Sequence, residues 1–347
     1  MRLPARVLSC GLCALLATVS AAPPVAVLSA QGQWFESYRD GLTAWQKEDW
    51  DRAEAELKEA LSSRSDQGRN IPVPGRPGIN YLPEYYLGLV YVKQKRFQEA
   101  SDLLYKVLKT PRLVEERHPE FKVLQAALDE CRRGNIDSFR ARTVKIDAVR
   151  ADGESETGTG IIVSAGEEGL HIVTALHVMV AEDDVTVPAP RSVQVSFFAP
   201  EDRPQAKPVD AQWLNQFDAG LDLAAIRAKA PQNVVLPLTR WEYRQSGLGK
   251  QERIFTVGHA VEDYGASETN VVLNPVDRDS RRFVISTAGI GQSASGGPVI
   301  DNRGYLAGVM VRLYPGSGRA SAVQVDEVVR LLKLWRIDVA GQPGAAR

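Results

Sequence analysis

The chain has 347 residues, a length that favours two domains of roughly 150 residues each. Hydrophobic residues make up 44% and charged residues 24% of it, which excludes collagen-like, wholly disordered and multi-span membrane proteins. Lysine and arginine total 42 against 43 aspartate and glutamate, so the formal net charge is -1. This balance gives no electrostatic reason to expect a nucleic-acid partner.

The first 22 residues have the layout of a secretory signal peptide. Arg2 and Arg6 precede an apolar run from residue 7 to 19, and small residues follow at positions 20 to 22. The run is too short to cross a bilayer, so we do not interpret it as a permanent membrane anchor. After its removal we expect no stable membrane span. We place the cleavage site between residues 21 and 30 and expect an exported protein, either periplasmic or secreted.

Removal of the signal peptide would also remove two of the three cysteines, Cys10 and Cys13. Cys131 would then have no partner in the mature chain, so no internal disulfide could form even in an oxidising compartment. No histidine is near Cys131 in the sequence. We interpret Cys131 as a small buried residue of a helix.

Residues 31–137 have helical periodicity and an internal repeat. Five residue pairs match at an offset of 47 residues: Gly41 and Gly88, Trp50 and Phe97, Ala53 and Ala100, Leu57 and Leu104, and Ala60 and Val107. Such self-similarity is typical of repeat proteins. The second unit resembles a tetratricopeptide repeat through Leu87, Gly88, Tyr91, Ala100 and Leu104.

The usual period of tetratricopeptide repeats is about 34 residues, so the longer offset indicates an insertion. Residues 62–80 supply it, and their prolines and glycines predict a loop. Two repeats alone bury too little apolar surface, so a third helix is expected at residues 118–133, ended by Gly134. The helical domain could bind a peptide or protein partner, or pack on the second domain as an appendage.

After Arg142 the pattern changes to short apolar runs separated by glycine, proline and aspartate. These runs lie at residues 144–148, 160–163, 170–175, 193–197, 223–226, 254–257, 283–286 and 306–311. Their spacing predicts an all-β sandwich or barrel over residues 143–336. An amphipathic helix from Asp326 to Trp335 closes this domain, and residues 337–347 are expected to be a flexible tail.

Three segments of the β region carry residues suited to acyl transfer. His177 follows an apolar strand, Asp222 begins one, and Ser295 precedes a Gly-Gly-Pro turn. A serine hydroxyl is a poor nucleophile until an imidazole removes its proton, and a carboxylate holds that imidazole in the required tautomer. The pattern predicts that Ser295 attacks, His177 transfers the proton and Asp222 orients His177.

Competing assignments are weaker. Ser293 lacks the adjoining glycine turn of Ser295, and Asp218 does not open an apolar strand as Asp222 does. The remaining histidines are interpreted as structural: His118, His171 and His259. The sequence has neither the Gly-x-Ser-x-Gly elbow of α/β-hydrolases nor the His-Glu-x-x-His of zinc peptidases, and we expect no cofactor or metal.

Residues 142–335 resemble a chymotrypsin-fold serine protease, most closely the bacterial HtrA-type trypsin-like peptidases. The segments that carry the resemblance are residues 158–163, 172–178, 221–226, 256–259 and 285–299. It implies a multidomain α and β protein in which the helical repeats precede two six-stranded antiparallel barrels. The triad would lie in the cleft between these barrels.

The resemblance also implies that the backbone N–H groups of Ser293 and Ser295 form the oxyanion hole. Family members usually carry glycine at the position of Ser293, so the resting geometry of the hole is in question, and a lost donor costs about 10²–10³ in kcat. Gly289 would lie near the floor of the specificity pocket, which favours an apolar or small side chain before the cleaved bond.

Two functions follow as hypotheses. The first is an exported serine endopeptidase that cleaves proteins or peptides, with helical repeats that bind substrate or a partner. The alternative is a catalytically silent protease fold that serves as a protein-binding module through its repeats.

Overall fold

The computed structural model describes residues 25–181, 186–198, 207–231, 242–244, 248, 252–260, 263–273, 281–286, 292–314, 316–338 and 342–343. The predicted fold class is confirmed, since helices come first and two β-barrels follow. The signal peptide at residues 1–22 lies outside the described residues and stays a prediction.

The N-terminal domain begins with two helix pairs, α1 (Val25–Gln46) with α2 (Trp50–Ser63) and α3 (Pro83–Lys93) with α4 (Phe97–Leu108). A Cβ at Gly41 would lie 3.0 Å from Leu57, and one at Gly88 would lie 2.7 Å from Leu104. The same close crossing of glycine and leucine therefore occurs in both units. Tetratricopeptide character itself stays a prediction.

The prediction of a loop at residues 62–80 is wrong, because most of this segment forms a hairpin. Its strands are β1 (Gly68–Val73) and β2 (Arg76–Tyr81), joined at Gly75 with a φ of +71°. Pro74 and Gly75 form the turn, whereas Pro72, Pro77 and Gly78 lie within the two paired strands, so their presence did not prevent strand pairing. The buried Tyr81 hydroxyl contacts the carbonyl oxygens of Ala60 and Arg64 at 2.7 and 2.8 Å, which fixes the hairpin to α2.

The predicted third helix extends further than expected. It is α5 (Glu120–Arg140), and Gly134 lies inside it rather than at its end. A Cβ at Gly134 would lie 2.1 Å from the Phe97 ring, so the glycine permits a close approach of α4 to α5. The same helix leads into the β region, where Phe139 joins the barrel core.

The first barrel closes in the order β3-β4-β5-β8-β7-β6, with antiparallel neighbours throughout. Its strands are β3 (Thr143–Val149), β4 (Ser155–Gly166), β5 (Gly169–Ala175), β6 (Ser192–Phe197), β7 (Val209–Asp218) and β8 (Leu223–Ala228). The one-turn helix α6 (Leu176–Met179) follows β5 directly. Fully buried branched side chains such as Ile146, Ile172 and Ile226 fill the barrel.

The second barrel is a ring in the order β10-β11-β12-β15-β14-β13, again antiparallel. Its elements are β9 (Glu242–Tyr243), β10 (Arg253–Ala260), β11 (Asp263–Leu273), β12 (Arg282–Ser286), β13 (Pro298–Asp301), β14 (Leu306–Tyr314), β15 (Arg319–Gln324), α7 (Val325–Leu334) and β16 (Gln342–Pro343). β9 and β16 extend the sheet beside β14. The tail predicted to be flexible thus includes a short strand, and its Ile337 is buried.

The helical domain contacts the second barrel at the turn between β13 and β14. Asp102 of α4 accepts hydrogen bonds from Arg303 Nη1 at 3.2 Å and from the Tyr305 hydroxyl. Asn135 of α5 donates through Nδ2 to the Arg303 carbonyl at 3.0 Å. The contacted turn begins at the end of β13, the strand that follows Ser295 and its glycine turn.

Candidate active site

Strand pairing in the first barrel brings His177 next to Asp222. β5 and β8 are antiparallel neighbours, and Ala175 at the end of one pairs with Leu223 at the start of the other. The residues just outside the pair, on α6 and before β8, must therefore meet. The amide of Leu176 donates to the Asp222 carbonyl at 3.0 Å and holds the two segments together.

The Asp222 carboxylate holds both the backbone and the ring of His177. Its Oδ1 accepts the His177 amide at 2.9 Å, and its Oδ2 lies 2.8 Å from the ring Nδ1. An aspartate in this position favours the tautomer with the proton on Nδ1, which leaves Nε2 as the proton acceptor. The side chains of both residues are mostly buried.

Asp222 itself has a left-handed backbone conformation, with a φ of +58°. Aspartate is one of the few non-glycine residues that adopt this conformation routinely, at a cost of roughly 1–2 kcal/mol. The backbone thus turns sharply just before β8, in the same residue whose carboxylate contacts His177. Strain of this kind is typical of functional positions.

Ser295 lies in a tight loop between a 3₁₀ turn and β13. The 3₁₀ turn spans Gln292–Ala294, and Gly296 follows Ser295 with a φ of +88°. A Cβ at Gly296 would lie 2.0 Å from the Thr159 carbonyl oxygen, so no other residue fits there. The Gly296 amide also donates to the Met310 carbonyl at 2.6 Å. Ser295 is buried at the junction of the two barrels.

Thr159 of β4 joins the serine loop to the first barrel. Its Oγ1 donates to the Ser293 carbonyl at 2.7 Å, and its amide donates to the Ser295 carbonyl at 2.8 Å. Its own carbonyl accepts the Thr174 hydroxyl at 2.7 Å, on the strand that ends two residues before His177. One threonine therefore fixes the serine loop relative to the strand that carries the histidine.

The backbone of the serine loop is in a closed arrangement at the predicted oxyanion hole. A 3₁₀ turn pairs each carbonyl with the amide three residues later, which for Gln292 is the amide of Ser295. Among the hydrogen bonds of the described residues, none joins Ser295 Oγ to His177. Catalytic hydrogen bonds are often long before substrate binds, so the three side chains remain candidates for one triad.

A cleft of about 450 Å³ adjoins His177 and Asp222. Its walls come from the α6 segment, from Ala219 and Gly220 before β8, and from Arg282 and Arg312 of the second barrel. It therefore lies between the barrels, next to the histidine and aspartate. Such a cleft could hold an extended peptide beside the candidate catalytic residues.

The competing candidates lie elsewhere or have structural contacts. Asp218 Oδ1 accepts the Leu221 amide at 2.9 Å and forms a turn, and Ser293 contributes its carbonyl to Thr159. His118 Nδ1 accepts the Glu115 amide at 2.8 Å before α5, and burial lowers the pKa of His171 on β5. The backbone of His259 is in β10, and Gly289 lies outside the described residues.

Sequence reasoning missed Thr159 and Arg282. Thr159 acts on residues more than a hundred positions away, and no local pattern reveals such a contact. Arg282 begins a short strand and is indistinguishable by periodicity from a solvated surface charge. Among the side chains that the structure describes, no cluster of potential metal ligands occurs, and no described helix is long and apolar enough to span a membrane.

Residues 158–309 match the family model described as a trypsin-like peptidase domain. These residues run from Gly158 in β4 to Val309 in the first half of β14, and they include His177, Asp222 and Ser295. The C-terminal part of the chain is therefore a trypsin-like peptidase domain, and the resemblance stated from the sequence is confirmed. No curated protein matches the sequence significantly.

Solved structures of proteases are similar at low identity. The Rv3671c protease from M. tuberculosis in its active form is 20% identical with a TM-score of 0.44, over 61% of this chain and 86% of that one. The HtrA-type protease AlgW with a tripeptide is 17% identical with a TM-score of 0.44, over 57% of this chain. This chain covers 61% of AlgW. Deg5 is 20% identical with a TM-score of 0.45, over 60% of this chain and 98% of Deg5.

Proposed function

We propose that the protein is an exported serine endopeptidase that hydrolyses peptide bonds through His177, Asp222 and Ser295. The observation that carries the proposal is the pair of contacts from the Asp222 carboxylate to the ring and amide of His177, at 2.8 and 2.9 Å. Thr159 supports it, because it fixes the serine loop to the strand that leads to His177.

In the proposed reaction, Ser295 Oγ attacks the carbonyl carbon of the scissile bond while His177 Nε2 accepts the hydroxyl proton. Collapse of the tetrahedral intermediate breaks the C–N bond, and the imidazolium returns the proton to the departing amine. Water then attacks the acyl-enzyme with the same base and releases Ser295. Asp222 stays ionised throughout and stabilises the transient imidazolium.

The amides of Ser293 and Ser295 are the proposed donors to the oxyanion. For both to reach it, the 3₁₀ turn at Gln292–Ala294 must open, since that turn engages the Ser295 amide with a carbonyl of the same loop. We therefore propose that peptide binding, or a partner, rearranges this turn before chemistry. Preorganised donors of this kind are usually the largest electrostatic contribution to acyl transfer.

The helical domain is proposed to bind substrate or a protein partner. The contacts of Asp102 and Asn135 with the β13–β14 turn support this, because they connect the helices to the strand that follows the serine loop.

Export is proposed from the N-terminal 22 residues alone. N-terminal sequencing of secreted protein tests it, and a mature chain that begins at Met1 would overturn it.

One observation favours the second candidate, a silent protease fold that acts as a binding module. It is the 3₁₀ turn at Gln292–Ala294, from which we infer that the Ser295 amide is engaged within the loop and that the oxyanion hole is not yet formed. Hydrolysis of unfolded casein by the protein without residues 1–22 separates the two candidates. Cleavage by the wild type that is lost in Ser295→Ala supports the endopeptidase, whereas binding of casein without cleavage favours the binding module.

A further inference from the structure

His177 lies in a helix of a single turn, which cannot hold all of its own carbonyl groups. A helix leaves its last four carbonyl oxygens without a partner inside it, and α6 ends at Met179. The amide of Val180 donates to the Leu176 carbonyl at 3.0 Å and closes the turn. The His177 carbonyl, one residue further on, is left to accept a donor from another part of the chain.

Arg150 supplies that donor from the turn between β3 and β4. Its Nη2 donates to the His177 carbonyl and, at 3.1 Å, to Oε2 of Glu156 on β4. The Arg150 side chain is 15% exposed, so these contacts are largely shielded from water. A hydrogen bond from a charged donor is roughly twice as strong as one between neutral groups. The guanidinium thus connects the histidine segment to β4.

The backbone around Arg150 is fixed independently of this contact. Its amide donates to the Glu154 carbonyl at 2.8 Å, and the Gly153 amide donates to the Arg150 carbonyl at 3.0 Å. Val149 pairs with Ser155 across the turn. A side chain on a rigid turn can hold its acceptor in one place, because its own base does not move.

One donor of Arg150 remains unused. Its Nε is buried and has no hydrogen-bond partner in the part of the chain that the structure describes. Buried polar groups without a partner are uncommon and costly to stability. The guanidinium is therefore oriented for the contacts of Nη2 with His177 and Glu156, at the expense of Nε.

The strand β4 carries the supports of both halves of the candidate triad. Glu156 contacts Arg150, whereas Thr159, three residues further along, fixes the serine loop. Arg150 in turn contacts the segment of His177. The histidine and the serine loop are thus both referred to one strand of the first barrel.

We propose that Arg150 is a positioning residue for His177 and that Glu156 orients it. Arg150 acts through the backbone carbonyl of His177 and not on the ring or the substrate. By holding that carbonyl, it keeps the imidazole on Asp222 and limits the positions from which Nε2 can reach Ser295. A displacement of about 1 Å can cost about 10²-fold in rate. The inference rests on the proposed peptidase function, and its first test needs no turnover.

Hydrogen exchange measured by mass spectrometry tests the contact in the protein without residues 1–22. Arg150→Met removes every N–H donor of the side chain and keeps an unbranched chain. We expect the amides of residues 176–180 to exchange about tenfold faster than in the wild type, because local opening becomes easier when the carbonyl contact is lost. Peptides from β14 in the second barrel should exchange at the wild-type rate.

The matched control is Arg191→Met, which affects the same turn. Arg191 Nε and Nη2 donate to the carbonyl of Ala151, next to Arg150, at 3.1 and 2.9 Å. The variant removes the same charge and a contact with the same turn, but no contact with His177. Exchange at residues 176–180 should therefore stay at the wild-type rate.

Kinetics with a peptide ester separate positioning from a general loss of stability. Arg150→Met should lower kcat by about ten- to a hundredfold and leave KM within about twofold, since only the placement of the base changes. Arg150→Lys should recover part of the rate, because an ammonium group can donate to the carbonyl but does not match the planar geometry of the guanidinium. Arg191→Met should keep the wild-type kcat.

Four outcomes would overturn the inference. The first two are unchanged exchange at residues 176–180 in Arg150→Met and faster exchange of equal size throughout the protein. The others are the same local change in Arg191→Met, and faster local exchange with an unchanged kcat, which would limit Arg150 to a structural role.

If Arg150→Met does not fold, Glu156→Gln is the test. It should give a smaller increase in exchange confined to residues 176–180, and the absence of a local increase would also overturn the inference. A wild type that cleaves no ester, with the local exchange effect present, would refute the peptidase function and leave the support of His177 by Arg150 in place.

Discussion

Replacement of Ser293 by glycine is predicted to activate the protein. In the 3₁₀ turn Ser293 has a negative φ, about −60° in such turns. Rotating the peptide between residues 292 and 293 so that its N–H faces the oxyanion changes this φ by about 180°, to roughly +120°. That region is nearly closed to residues with a Cβ but open to glycine.

The size of the effect follows from the strain. A non-glycine residue in such a region pays about 1–3 kcal/mol, and 1.36 kcal/mol corresponds to a factor of ten. Ser293→Gly should therefore raise the population of the open hole, and with it kcat/KM, by about ten- to a hundredfold. The gain should appear in kcat/KM for a peptide ester and in the rate of labelling by a fluorophosphonate.

The matched control is Ser293→Ala, which removes the hydroxyl and keeps the Cβ. It should show none of the gain, because alanine meets the same steric barrier as serine. Equal rates for the glycine and alanine variants would refute the reasoning, since the open hole would then not be limited by the conformation of residue 293.

Three further predictions concern other parts of the molecule. Asp222→Asn should lower kcat by about 10⁴ with little change in KM, because an amide favours the wrong tautomer of His177; a loss below tenfold, measured by initial rates, would remove Asp222 from the triad. Gly304→Ala should lower the free energy of unfolding in urea by about 2–4 kcal/mol, because the φ is +92° and the new Cβ would lie 2.3 Å from Asn135 Cγ; a change under about 0.5 kcal/mol would contradict the contact between the domains. Burial raises the pKa of the Cys131 thiol to about 12, so the protein without residues 1–22, which lacks Cys10 and Cys13, should not react with a thiol reagent at about pH 8 when folded and should react when unfolded; rapid reaction of the folded protein would contradict the burial of Cys131.

The fold could be predicted from the sequence where local patterns decide it. Apolar runs of strand length and the repeat of glycine and leucine at a 47-residue offset both correspond to regular elements. The predictions failed where a residue is determined by a contact with residues that are distant in the sequence. Glycine at position 134 predicts the end of a helix, but Gly134 lies inside α5. Only glycine fits there because the Phe97 ring packs against its backbone.

The residue types of the candidate site and their order in the chain could be predicted from the sequence. The conformation of the loop that carries Ser295 could not. His177 and Asp222 are adjacent because β5 pairs with β8, and the antiparallel pattern allows that pairing to be anticipated. The closed turn before Ser295 depends on hydrogen bonds within the loop and with Thr159, which no periodicity encodes. Arg282 differs from an ordinary surface arginine only in that it lines the cleft, and this position follows from the three-dimensional arrangement of the strands.

The measurement that tests the central claim most directly is the site of fluorophosphonate labelling in the mature protein. The account predicts one adduct, on Ser295, found by peptide mapping, that is absent in Ser295→Ala and greatly slowed in His177→Ala. An adduct on Ser293, labelling that survives Ser295→Ala, or no adduct in both the wild type and Ser293→Gly would contradict the account.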